Sequence, residues 1–156
     1  MGWFSRWFSA KPQAMSREAL RKREQVLAIL PLLSRFMQST RRHIQEDDLK
    51  IPRRFRYFVA YTLGAIRALG ESHAFEEGQE LAGLLIFLQE NSQLDAHGIS
   101  ETIGKCMELR DTPESQQAIQ AGSEAMKAWQ RNDSQADRRL AQIFREFSGP
   151  FAPPID

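Results

Sequence analysis

Cysteine is almost missing from this chain: Cys106 is the only one in 156 residues. A lone cysteine excludes an internal disulfide framework and any zinc site built from several thiolates. Histidine is scarce too, with three residues. The longest apolar runs, Val26–Leu33 and Leu81–Leu88, have eight residues each, whereas a membrane-spanning helix needs about 20. No stretch sustains the two-residue alternation of a half-buried strand. The Gly-rich phosphate loop, His-Glu-x-x-His and Gly-x-Ser-x-Gly are all absent, which removes three common routes to an enzyme. What is present is ordinary: 42% hydrophobic and 26% charged residues, enough for one globular domain of this length.

Net charge is +1, but it is unevenly spread. Residues 1–56 hold 13 Lys+Arg and 5 Asp+Glu, a balance of +8. Residues 57–156 hold 8 and 15, a balance of −7. Such asymmetry points to an anionic surface near the basic end, or to two halves that neutralise one another.

Capping signals and apolar spacing read as helix throughout. Thr112-Pro113-Glu114 offers an N-cap, proline at the first helical position and an acid in the first turn. Ser92-x-x-Asp95 and Ser134-x-x-Asp137 resemble capping boxes. Gly70 and Gly149 stand where helices end. Phe55, Phe58, Val59, Thr62, Leu63, Ile66 and Leu69 recur at steps of three and four. So do Ile99, Ile103, Cys106 and Met107, then Ile119, Met126 and Trp129, then Leu140, Ile143, Phe144 and Phe147. The spacing predicts helices over 16–44, 53–69, 73–91, 93–110, 113–131 and 135–147. Pro31 should interrupt the first. The segment 81–88, apolar on nearly every side, should sit at the centre. The fold class expected is all-α: an antiparallel bundle of about six helices with a short amphipathic N-terminal helix. A short solenoid of helical hairpins is the alternative. In domain terms, 1–12 reads as an anchor segment, 13–148 as the bundle and 149–156 as an extended tail.

The most specific signal is the opening, Met-Gly-Trp-Phe-Ser-Arg-Trp-Phe-Ser-Ala-Lys-Pro. On a helix, Trp3, Phe4, Trp7 and Phe8 fall within an arc of about 140°, with Arg6 opposite and Lys11 flanking. Large aromatics beside cations suit a membrane–water interface. Their gross transfer energy, roughly 6–10 kcal/mol at about 1.5–3 kcal/mol per side chain, is largely offset by the entropy of ordering the segment. The anchor is therefore weak and reversible. The same residues could instead dock in a partner's groove or fold onto the bundle. Arg17, Arg21, Lys22 and Arg23 follow, and Arg41, Arg42 and His43 form a second basic cluster. The first suits an anionic leaflet; the second sits at a helix C-terminus, where cations complement the dipole. The segment lacks the apolar core of a secretory signal, which leaves a cytoplasmic protein, resting on the inner face of a membrane, as the expectation.

Within Arg53-Arg-Phe-Arg-Tyr-Phe-Val-Ala-Tyr61, the residues Arg53, Arg54, Tyr57 and Tyr61 share one helical face beside the core stripe. Arg and Tyr together suit a protein-binding hot spot or a nucleic-acid platform, although the acidic remainder of the chain disfavours nucleic acid. His73 with Glu76, Glu77 and Glu80 could present a His–carboxylate face for a metal-dependent enzyme. A bundle metal site wants two Glu-x-x-His pairs, and here the order is reversed and occurs once. His97 reads as a surface or capping residue, and Cys106 as an inert member of an apolar stripe. The function expected is that of a non-enzymatic helical protein that binds one protein partner by surface complementarity, a basic partner being the complement of the acidic C-terminal half, without cofactor or metal. Small helical proteins with one strongly acidic region include the immunity proteins that neutralise bacterial toxins, so a toxin-neutralising role is one form of this expectation and a peripheral membrane adaptor another.

Overall fold

A computed structural model describes residues 16–147. Six α-helices and no strand occur among them: α1 (Arg17–Arg41), α2 (Pro52–Gly70), α3 (Glu77–Asn91), α4 (Ala96–Leu109), α5 (Pro113–Gln130) and α6 (Arg139–Phe147). Short 3-10 turns cover Glu46–Lys50, Glu71–His73 and Ala136–Arg138. The anchor segment 1–12 and the tail 149–156 lie outside the described residues.

The caps explain the boundaries. The Ser16 hydroxyl accepts from Ala19 N at 3.1 Å and opens α1. Thr112 Oγ1 accepts from Ser115 N at 3.3 Å and opens α5, with Pro113 at its first position. Pro52 opens α2 in the same way. Two expected caps fall elsewhere. Asp95, not Ser92, caps α4, accepting from Gly98 N at 2.8 Å. Ser92 instead closes α3 by donating to the Leu88 carbonyl at 2.6 Å. Likewise α6 starts at Arg139 rather than 135, because the Asp137 side chain is drawn to α1. Helix α3 starts at Glu77 rather than 73: Ala74 turns left-handed at φ 50°, and Glu76 and Gln79 form a reciprocal capping box. Pro31 does not interrupt α1, which runs unbroken from 17 to 41.

The centre of the bundle is α2, not the segment 81–88. Fourteen of its nineteen residues are buried. It packs against α1, α3, α4 and, most extensively, α5. Helices α2 and α3 run antiparallel, as Arg67–Glu80 and Phe58–Phe87 show. The α2–α5 pair is different. Arg53 meets Glu114 at one end and Glu71 meets Lys127 at the other, so these two helices run parallel. A solenoid packs each hairpin only on its sequence neighbours, so this non-sequential pair favours the single bundle.

Two glycines set how closely α2 and α5 approach. A Cβ on Gly64 would lie 1.9 Å from the Ile119 carbonyl oxygen, and a Cβ on Gly122 1.9 Å from that of Tyr61. Neither position could carry a side chain without moving backbone. Ala60, Ala65, Ala68, Ala118, Ala121 and Ala125 are buried around them. Small residues four apart (60, 64, 68 on α2; 118, 122 on α5) let two helices meet backbone to backbone.

Candidate functional site

A cleft of about 640 Å³ opens between α2 and α4. Phe55, Val59 and Ala60 of α2 form its floor, and Thr102, Cys106 and Leu109 of α4 its wall. The cleft exists because α4 buries only Ile99 and Ile103, leaving its outer residues raised off α2. Gly104, exposed at the edge, has nothing within 4 Å of where a Cβ would stand. The rim is mixed in charge: Arg56 and Lys105 beside Glu101 and Glu108. Glu101 holds His97 at 3.1 Å and Glu108 holds Lys105 at 3.6 Å. A smaller pocket of about 440 Å³ continues past Arg56, Leu109 and Ser115 to the start of α5. Volumes of this size, mostly apolar with a few polar groups at the edge, are typical of binding sites. Burial pushes the Cys106 thiol up, with Arg67 only partly opposing it, so the thiolate that nucleophilic chemistry requires is suppressed.

The Arg53/Arg54/Tyr57/Tyr61 face, expected to meet a partner, is largely buried within the bundle. Tyr57 and Tyr61 are 2% and 0% exposed. Helix α6 and the turn at Glu46–Lys50 cover them. Tyr57 sits edge-on to Phe144 and Phe147, and Tyr61 stacks on Phe36 of α1. Arg54, 8% exposed, pairs with Asp48. Arg53 pairs with Glu114 and lies 4.6 Å over the Phe147 ring. The arginine–tyrosine complementarity is real, but its partner is the chain's own C-terminal helix. Burial pushes the Tyr57 hydroxyl up to about 12 and raises that of Tyr61 further still. Both hydroxyls, and that of Thr40, are sealed without a hydrogen-bond partner among the described residues.

The His73/Glu76/Glu77/Glu80 face does not assemble either. Each carboxylate is taken by a cation from a different helix: Glu76 by Lys22 of α1 at 3.0 Å, Glu80 by Arg67 of α2 at 3.2 Å, and Glu77 by Arg110 at 2.5 Å. No group of three or more His, Cys, Asp or Glu placed to hold a metal occurs among the described residues. Burial raises the Glu80 carboxyl, against the pull of Arg67.

Ser39, His43 and Asp137 do meet. Ser39 Oγ donates to Asp137 Oδ2 at 2.5 Å, and His43 Nε2 lies 3.2 Å from the same oxygen. Both side chains converge on one carboxylate rather than on each other, so this is a clamp between the C-terminal end of α1 and the 3-10 turn before α6, not a nucleophile–base pair. Burial opposes ionisation of Asp137, but the bonds from Ser39 and His43 outweigh it and hold its carboxyl below the usual range.

The basic-surface residues divide into two groups. Lys22 is committed to Glu76 and Glu18, and Arg41 donates to the Asn91 carbonyl at 3.2 Å. Arg17, Arg21, Arg23 and Arg42 make no ion pair with another described residue, and Arg35, which sequence reading passed over, joins them. Trp3, Phe4, Arg6, Trp7, Phe8 and Lys11 lie outside the described residues. No described helix is long and apolar enough to cross a membrane.

Fold and clefts together define an all-helical bundle with an open, mostly apolar groove between α2 and α4 and an arginine-rich outer face on α1. No family model, curated protein or solved structure matches the chain.

Proposed function

We propose that the protein is a non-enzymatic helical binding module, acting on the cytoplasmic side, whose partner inserts an amphipathic helix into the α2–α4 cleft. The observation that carries this reading is the cleft itself: an open groove between two helices, apolar at its floor and charged of both signs along its rim. Helix-in-groove recognition uses that arrangement, with apolar anchors seated on the floor and flanking charges fixing register. The sequence reading put the partner on the Arg/Tyr face; that face being closed, the groove is the surface left for it.

Gly104→Trp tests the proposal, because an indole there fills the groove from an exposed position without touching the core. Affinity capture with the full-length chain should recover one protein in stoichiometric amount. The Trp variant, with an unchanged helical spectrum, should bind that protein at least tenfold more weakly. Equal recovery by both chains, or recovery of the chain alone, refutes the reading.

A further inference from the structure

We infer that the outer face of α1 is a second binding surface, one that lies flat on an anionic lipid bilayer. It is separate from the cleft and does not depend on it.

The inference rests on which α1 residues remain once packing and ion pairing are complete. Val26, Ile29, Leu30, Leu33, Phe36, Met37 and Thr40 turn inward. On the opposite side, Arg17, Arg21, Arg35 and Arg42 are exposed, together with Glu24, Leu27, Ala28 and Pro31. At 100° per residue these eight positions fall within an arc of about 120° and run along a helix roughly 37 Å long. Four arginines against one glutamate leave the stripe strongly cationic, and none of the four makes an ion pair with another described residue. Elsewhere the carboxylates of the 71–80 region are each held by a cation. Arg131, Arg138, Arg139 and Arg145 are exposed as well, but α1 sets four arginines along one helical face beside a single carboxylate.

The middle of the stripe selects the partner. Leu27 is 44% exposed, one of only two large hydrophobic residues so exposed among those described, and Pro31 stands one turn further on. Apolar groups between arginines gain nothing against the phosphates of a nucleic-acid duplex. Against a bilayer they reach the headgroup boundary while the guanidinium groups stay at the phosphates. The segment that precedes α1 in sequence carries Trp3, Phe4, Trp7 and Phe8, side chains suited to the same depth.

The test is vesicle co-sedimentation of the full-length chain. Wild type should bind phosphatidylglycerol-containing vesicles at low salt, release as salt rises, and ignore pure phosphatidylcholine. Each cation near an anionic leaflet contributes about 1 kcal/mol, or about fivefold, so Arg35→Gln with Arg42→Gln should weaken binding about thirtyfold. Lys105→Gln with Lys127→Gln, the same change in net charge placed on α4 and α5, should leave it within about twofold. Leu27→Ser should also weaken binding. The inference is overturned if wild type ignores anionic vesicles, if the α1 variant binds as wild type does, if the control loses as much as the α1 pair, or if duplex DNA displaces the vesicles.

Discussion

The crossing of α2 and α5 makes a sharp prediction, because general helix propensity and local packing disagree about its sign. In an exposed helix, Gly→Ala stabilises by about 1 kcal/mol. At Gly64 the added methyl would stand 1.9 Å from the Ile119 carbonyl oxygen and 2.9 Å from Ser123 N. Carbon–oxygen contacts normally settle near 3.3–3.6 Å, so the helices must separate by about 1.5 Å. Both clashing groups are backbone, so no rotamer change relieves them. Overpacking that side chains can absorb costs about 1–3 kcal/mol; here the cost should exceed the upper figure. After the propensity gain, Gly64→Ala should lose at least about 2 kcal/mol, and Gly122→Ala about the same. In a domain of this size each kcal/mol moves Tm by about 2–4 °C, so the midpoint should fall by at least roughly 4–8 °C. Gly104→Ala, with open space around it, supplies the control and should gain about 0.5–1 kcal/mol. Because one separation relieves both clashes, the double variant should cost clearly less than the two singles together. Urea denaturation followed by far-UV circular dichroism measures all four. A Gly64→Ala protein as stable as the Gly104→Ala protein would falsify the argument.

The remaining predictions concern buried polar groups. Tyr61→Phe removes a hydroxyl that has no hydrogen-bond partner among the described residues and should stabilise the fold by about 1–2 kcal/mol; a loss of that size in chemical denaturation would mean the hydroxyl is satisfied. Arg54→Ala strands Asp48 against the Phe144 side of the core and should cost about 3–5 kcal/mol, visible as a lower urea midpoint. Asp137 has a depressed carboxyl pKa, so its stabilisation is present above the ordinary aspartate value of about 4 and fades as pH falls through the lower folded-state value. Wild type and Asp137→Asn should therefore differ in Tm at pH 6 and converge below about pH 4; a constant difference across that range rejects the assignment.

Helix content and most caps were legible because they are local. Thr112-Pro113 and Pro52 fix helix starts through bonds made within four residues. The core stripes of α2, α5 and α6 follow from spacing alone. What escaped was tertiary. Arg53, Arg54, Tyr57 and Tyr61 look like a surface because arginine and tyrosine usually are one, and nothing nearby in sequence announces that α6 will cover them. The centrality of α2 was hidden for the same reason: its arginines and small residues lower its apparent hydrophobicity, whereas 81–88 is uniformly greasy. Gly64 and Gly122 read as weak points in helices until their spacing with Ala60, Ala68 and Ala118 is noticed. The α2–α4 cleft arises from how little α4 buries, a property of packing that no local motif encodes. The Arg17–Arg42 stripe was half visible, since charge could be counted but not its pairing with Glu76 or the Asn91 carbonyl.

The glycine crossing also governs the order in which a newly made chain can settle. Residues 64 and 122 are far apart in sequence, so when the ribosome has released α1, α2 and α3, the docking side of α2 is still bare. Its mate is complete only after about another forty residues. Until then the nascent protein carries an uncovered small-residue groove along its innermost helix, and closure waits on α5. A message truncated before codon 113 should therefore yield a chaperone-dependent fragment rather than a smaller folded protein.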